Sequence, residues 1–234
     1  MRALRLVFRS RGSESRARSL SWGALRTPQT PIAVWLVLFV AAYGWAYGAA
    51  NFIRLCDVAV IVTCIGIMTG SALLVSSQAV SSLVVDLAWD LDLLWRLLFG
   101  RHLIGGTEYM WDERYPLWVR LMSLFHVVWP PLLFVVLRRL GYDPRGFVLQ
   151  CGIAAVVLVA SRFILPGENL NFAHHDPFFH RACGPAPVHL ALTYAVLVAV
   201  VYWPTHLALR FAFLRGGRRG SGAIPSPRNG EGPG

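Results

Sequence analysis

The stretch NFIRLCDVAV, Asn51 to Val60, sets Arg54, Cys56 and Asp57 at the threshold of a strongly apolar run. A cysteine attacks a carbonyl as its thiolate, and a neighbouring cation or histidine favours that form while apolar burial opposes it. Arg54, two residues away, could supply the charge. The plainer reading is that Cys56 fills space as a small apolar side chain and that Arg54 and Asp57 form an interfacial ion pair.

Further along, PLWVRLMSLFHVVWPPLLFVVL places His126 near the middle of an apolar segment. Pro130 carries no N–H for the carbonyl of His126, and Pro131 deprives Val127 in the same way, so the backbone opens in a kink beside the histidine, either shaping a polar cavity or serving packing alone. The preceding segment, AVSSLVVDLAWDLDLLWRLL, contains three carboxylates. Asp86 and Asp90 are one helical turn apart and share a face, while Asp92 points elsewhere, toward the outer interface. A carboxylate inside a membrane needs a partner or a task. Arg54, Arg120 and Arg162 are candidate partners, and a proton relay or catalytic acid is the functional alternative.

The loop PGENLNFAHHDPFFHRACGPAPVH gathers His174, His175, Asp176, His180 and His189 with Glu168, Asn169 and Asn171. Histidine and carboxylate groups suit zinc or iron. Their spacing is irregular and lacks a helical i, i+4 histidine pair, so no metal or cofactor is assigned, and an interfacial loop with ordinary hydrogen-bonding histidines is expected.

These residues need elements to hold them. The chain of 234 residues is 56% hydrophobic and 15% charged, with mean hydropathy +0.52, a balance far from that of soluble domains. Apolar blocks of about 20 residues, long enough for a hydrocarbon core of roughly 30 Å, recur along almost the whole length. The fold class read from this is all-α, a polytopic transmembrane helix bundle with spans near 31–50, 55–75, 79–99, 116–137, 146–165 and 187–213.

Residues 1–30 form a basic tail with seven arginines against Glu14, residues 31–213 the six-span membrane domain, and residues 214–234 a disordered tail rich in Arg, Gly and Pro. There is no lysine, so the formal charge of +10 rests on arginine. The arginines concentrate in the tails and in RRLGYDPRG, which the positive-inside rule places in the cytoplasm with both termini. The loops Gly100–Tyr115 and Pro166–Ala186 then face outward, with Gly105-Gly106, Pro166-Gly167 and Gly184-Pro185 as turn signals at their edges. Basic tails of this kind meet anionic lipid heads, and nothing in them carries a nucleic-acid fold signature. Cys56, Cys64, Cys151 and Cys183 show neither a CxxC pair nor zinc spacing, so a disulfide framework is not expected. A cleaved signal peptide ending near AYGAAN is discounted, because the run before it is too long and too far from the start.

Taken in order, RLCDVAV, DLAWDLDLLWRLL, RLMSLFHVVWPPLLFVVL, NLNFAHHDP and CGPAPVHLAL resemble the pattern of the YwaF-like integral membrane family, bacterial YwaF and its mammalian ether-phospholipid acyltransferase relatives. The resemblance covers about Leu55 to Leu192 and rests on order and spacing more than identity. It implies that Cys56 accepts an acyl group, that His126 is its partner, and that Asn171 stands where the family has the asparagine of a TNYMY-like segment. The family often carries a histidine two residues before the cysteine, where this chain has Arg54, and NFAH replaces NYMY. Arg54, Asp57, Asp86, Asp90, Asn171, His174 and His189 are then the supporting or substrate-binding set.

The function expected is lipid acyl transfer or ester hydrolysis in an outward-facing cavity of a bacterial inner membrane protein. Membrane lipids are its partners, and Asn171 is a candidate oxyanion donor. Two other readings stand beside it: a non-enzymatic transporter or scaffold with structural Asp, His and Arg pairs, and a metal-dependent lipid hydrolase.

Overall fold

The computed structural model describes residues 29–164, 168–177 and 180–214. Most of the basic tail at 1–30, the RGGRRG and IPSPRNGEGPG segments and the Pro166-Gly167 turn signal lie outside the described residues. Among the described residues every regular element is a helix. They run as α1 (Gln29–Tyr47), α2 (Leu55–Thr69), α3 (Ala72–Phe99), α4 (Leu117–Met122), α5 (Phe125–Leu140), α6 (Arg145–Ile164), α7 (Ala186–Val196) and α8 (Trp203–Leu214). Short 3-10 turns lie at Ala49–Ile53, Glu108–Trp111 and Leu170–Phe172. Five stretches, Gln29–Tyr47, Ala72–Phe99, Leu117–Leu140, Arg145–Ile164 and Ala186–Phe213, are long and apolar enough to cross a membrane, and α2 is a shorter apolar helix. This is the helix bundle expected of an integral membrane protein with about six spans.

The second span differs from the expected 55–75. It stops at Thr69 because Gly70 adopts a left-handed conformation (φ 67°, ψ 26°), and the N–H of Ser71 then bonds back to the Gly66 carbonyl at 2.8 Å. Ser71 starts α3 in turn, accepting the Leu74 N–H on its Oγ at 3.3 Å. A two-residue link thus folds α2 against α3, and Gly66 permits the close approach. A Cβ there would come within 2.9 Å of Val75 Cγ2.

α3 is the axis of the bundle, packing on α2, α5, α6 and α8. Its N-terminal half is lined with buried polar residues, Ser76, Ser77, Gln78, Ser81 and Ser82, which hydrocarbon would penalise unless they were paired. Gln78 Nε2 donates to Ser77 Oγ (2.9 Å) and Gln150 Oε1 (3.2 Å), and Gln150 Nε2 donates to Ser81 Oγ (2.9 Å) and the Tyr202 hydroxyl (3.0 Å). Tyr202 reaches this network from a π turn over Leu197–Tyr202 between α7 and α8. Pro204 offers no N–H to the Val200 carbonyl, a local cause for the widened turn.

The expected kink falls one turn earlier than the carbonyls freed by the prolines. Pro130 and Pro131 lie inside α5, and the break is at Ser123-Leu124, where the His126 and Val127 N–H groups bond three residues back, to Ser123 and Leu124. The proline rings press on the carbonyls of the preceding turn, and the chain relieves this by tightening upstream. Ser123 is left buried at a helix break beside His126.

Candidate functional site

Asp86 and His126 meet in the middle of the bundle, Asp86 on α3 and His126 on the first turn of α5. His126 Nδ1 lies 2.7 Å from Asp86 Oδ1, with side-chain exposures of 5% and 2%. The partner expected for a carboxylate of this helix is therefore a histidine and not Arg54, Arg120 or Arg162. The imidazole is stacked between Trp89 (ring centroids 4.7 Å apart) and Phe125 (4.2 Å). Asp86 Oδ2 is buried without a hydrogen-bond partner among the described residues, as is Asp90 Oδ1 one turn away. Asp90 shares the face as expected and lies within electrostatic reach of both Asp86 and His126.

A second polar group sits at the start of α2. Asp57 is buried, and its carboxylate accepts a short hydrogen bond from Asn51 Nδ2. Asn51 Oδ1 in turn accepts from Arg54 Nε at 2.8 Å. The expected Arg54–Asp57 ion pair is thus replaced by a relay through Asn51, and the Arg54 guanidinium instead approaches Glu168, at 3.6 Å. Arg54 has non-helical backbone angles as the residue that caps α2 (φ −61°, ψ 134°). Cys56 Sγ lies 3.8 Å from Asp57 Oδ1 as a weak donor and packs against the apolar core that includes Phe39, Tyr43 and Phe125. Cys56 is also within electrostatic reach of Asp86, which links the two groups.

Between them lie residues that no sequence pattern singled out. The Tyr43 hydroxyl and Ser123 Oγ are 2.7 Å apart, joining α1 to the break before α5. Tyr109 comes down from the loop after α3 beside Ser123 and Trp89, and Tyr43 and Tyr109 both lie within electrostatic reach of Cys56. A tyrosine reads as interfacial or apolar in a hydropathy pattern, and only the fold brings these two together.

The loop that delivers Tyr109 is built on Asp92, whose carboxylate is buried beneath it. Its Oδ1 accepts the N–H groups of Leu103 (2.7 Å), Ile104 (2.6 Å) and Gly105 (3.2 Å), and its Oδ2 accepts from the Thr107 N–H (2.9 Å) and hydroxyl. His102 Nδ1 lies 3.4 Å from the same carboxylate. Arg96 stacks over Trp111 at 5.2 Å and ties down the far side of the loop.

Asn171 is not free to hold an oxyanion. Its Nδ2 donates to the Ile53 carbonyl and to Ser161 Oγ, both at 2.8 Å, and its Oδ1 accepts the Leu55 N–H at 2.9 Å. Both amide hydrogens are occupied, and the acceptor satisfies a first-turn N–H of α2. Asn171 therefore anchors the backbone immediately before Cys56, and it does so from a left-handed conformation (φ 51°, ψ 27°) that asparagine tolerates.

The histidine loop does not converge on a metal site. Among the described residues no group of three His, Cys, Asp or Glu is arranged to hold an ion. His189 accepts the Cys183 N–H on Nδ1 (3.1 Å), so its Nε2 carries the proton that goes to the Phe172 carbonyl at 3.0 Å. The His174 and His175 N–H groups both donate to Asn169 Oδ1, at 2.9 and 3.0 Å. Desolvation, with nearby Arg162 adding to it, holds His174 below the usual histidine range.

The expected outward-opening cavity is not one of the two depressions that stand out. One, of about 530 Å³, is an apolar groove on α6 along Val148, Gly152 and Val156, and the other, of about 110 Å³, lies near Ile32, Ile67 and Leu140. Neither is lined by Cys56, Asp86 or His126; the His126 ring is stacked between Trp89 and Phe125, and Cys56 is half-buried. No family model matches this chain, nor does any curated protein or solved structure.

Proposed function

We propose that this integral membrane protein is a thiol-dependent lipid acyltransferase or ester hydrolase, with Cys56 as nucleophile, His126 as base and Asp86 as the group that orients the base. The observation that carries the reading is the buried Asp86–His126 contact at 2.7 Å. A carboxylate on Nδ1 fixes the imidazole so that Nε2 is the basic nitrogen, and it stabilises the imidazolium once a proton is taken. The thiolate would attack an ester carbonyl to give a thioester on Cys56, the released alcohol taking its proton from His126; a second alcohol or water would then accept the acyl group. The hydroxyls of Tyr43, Ser123 and Tyr109 are the donors nearest in kind to an oxyanion hole, a role that Asn171 cannot fill with both amide hydrogens engaged.

Membership of the YwaF-like family is part of this proposal, supported by the order of the Cys56, Asp86, His126 and Asn171 segments. So are a bacterial inner membrane location and cytoplasmic termini, which rest on the arginine distribution. The non-enzymatic alternative, a transporter or scaffold, draws on the enclosure of His126 between Trp89 and Phe125, an arrangement that a structural ion pair would share.

Purified protein in mild detergent, incubated with a phospholipid bearing an alkyne-tagged acyl chain, separates the two. A hydroxylamine-sensitive tag on the native chain and on Cys64→Ala, absent from Cys56→Ala, supports acyl transfer. Labelling that survives Cys56→Ala, or no labelling of the native chain, overturns it.

A further inference from the structure

Tyr47, Arg54, Arg120 and Tyr115 form a donor cluster at the end of the bundle where α1 stops and α4 begins. Tyr47 is the last residue of α1 and its ring meets Tyr115 at 4.5 Å between centroids. Two α1 and α4 tryptophans beside it, Trp45 and Trp118, stack on each other at 5.9 Å and are largely exposed. Exposed, paired indoles are the side chains that settle at headgroup level, which sets the depth of this cluster.

The cluster has donors to spare. The Tyr47 hydroxyl and Arg120 Nε are both buried, and among the described residues neither has a hydrogen-bond partner. Arg120 uses one Nη to reach the Met110 carbonyl at 2.9 Å, which fixes the guanidinium. Both arginines lie within electrostatic reach of Tyr47. Among the described residues the carboxylates that face them are otherwise engaged or exposed: Asp57, within electrostatic reach of Arg54 and Tyr47, accepts from Asn51; Asp112, within reach of Arg120, is held by Arg114; and Glu168 is 3.6 Å from Arg54 with side-chain exposures of 58% and 45%. An exposed pair at that distance is readily exchanged. Buried donors left without an acceptor are costly, and a tyrosine hydroxyl and an arginine Nε in that state, with a second arginine beside them, ask for an anionic oxygen.

We infer that Arg54, Arg120 and Tyr47 form a binding subsite for a phosphate group, such as that of a phospholipid head, at the rim above Cys56. Arg54 presents its charge to solvent and to Asn51 at once, so the subsite is coupled through Asn51 to the Asp57 and Cys56 end of α2. The subsite stands on other residues than the acyl chemistry, and its failure would leave the Cys56 labelling experiment undecided.

The test uses the full chain in dodecyl maltoside micelles, with the thermal unfolding midpoint followed by tryptophan emission. Phosphatidylglycerol, diacylglycerol and inorganic phosphate are each titrated, and apparent affinity is taken from the concentration dependence of the midpoint. Phosphatidylglycerol is expected to raise the midpoint, diacylglycerol not. Arg54→Gln and Arg120→Gln should each weaken the apparent affinity about tenfold, the loss of one charge-assisted contact. Tyr47→Phe should weaken it less, and Arg145→Gln, whose exposed side chain pairs with Asp143, not at all.

A response to phosphatidylglycerol alone supports a lipid headgroup as the ligand, and a response to inorganic phosphate as well supports free phosphate as sufficient. An equal response to diacylglycerol, or arginine variants that bind as the native chain does, overturns the subsite. If Arg120→Gln does not fold, Arg54→Gln and Tyr47→Phe decide.

Discussion

Removing His126 and Asp86 singly and together measures whether they act as one unit. Both side chains are almost wholly enclosed, so solvent screening does not discount the pair. His126→Ala leaves a buried carboxylate without its partner, at about 3–5 kcal/mol. It also removes the stack on Trp89, which contributes about 0.5–1.5 kcal/mol more. Asp86→Ala leaves a buried imidazole nitrogen without its partner, and is expected to cost about 1–3 kcal/mol. The double variant should cost less than the sum by about 2–3 kcal/mol, the strength of a hydrogen bond to a charged group. Equilibrium unfolding in mixed micelles, read by tryptophan emission, gives each corner of the cycle. Losses that add within about 0.5 kcal/mol would refute a coupled pair. A second readout separates a positioning carboxylate from a merely structural one. Asp86→Asn keeps the shape and should lower acyl labelling of Cys56 by about 10³–10⁴-fold, as loss of the orienting carboxylate does in hydrolytic triads. Labelling unchanged in a stably folded Asp86→Asn protein would remove Asp86 from the chemistry.

Gly146→Ala should destabilise by about 1–3 kcal/mol, because its Cβ would meet the Ser77 backbone nitrogen at 2.7 Å and Ser76 Cβ at 2.8 Å, while Gly152→Ala, with nothing within 4 Å, should be neutral or slightly stabilising in the same unfolding assay. Asp92→Asn turns an NH₂ toward donors that now meet carboxylate oxygen, so the segment from Leu103 to Thr107 should become a site of limited proteolysis, with acyl labelling falling as Tyr109 is released. The Arg145 side chain and N–H hold the Asp143 carboxyl below the usual carboxylate range. A depressed value means that its contribution is complete above the unfolded-state range, near 4, and is lost as pH falls through the folded value. Hydrogen exchange at the start of α6 should therefore quicken only below about pH 4, and the Asp143→Asn protein should show no such step.

The spans were legible because a membrane helix declares itself by a run of apolar side chains, and each expected segment has its helix. The end of α2 was not, since apolar runs lie on both sides of Thr69-Gly70-Ser71, and the left-handed turn at Gly70 is what stops it. Burial of Asp86 could be argued from cost alone, but its partner lies 40 residues on, and the choice of His126 over three arginines depends on how α3 and α5 cross. Tyr43 and Ser123 are 80 residues apart, beyond any local pattern. The loop held by Asp92 was not legible, because helical phase locates a side chain on its own helix and says nothing of a loop folding back onto it. The Asn171 role was read from a resemblance of position, whereas its amide is occupied by the backbone on either side of Arg54.

The brevity of α2 bears on how a lipid would reach Cys56. Fifteen helical residues rise about 22 Å, against a hydrocarbon core of roughly 30 Å. Hydrophobic mismatch of that size is relieved by local thinning of the bilayer around the short helix. A thinned annulus would lower headgroups and the water among them toward the first turn of α2, where Cys56 and Asp57 sit. Under the proposed acyl chemistry, ester linkages, which in an undisturbed leaflet lie near the edge of the hydrocarbon, would thereby be brought down to the thiol from the side. A dip in the surrounding membrane can do the work of an entrance, and the bundle interior can stay closed while it does so.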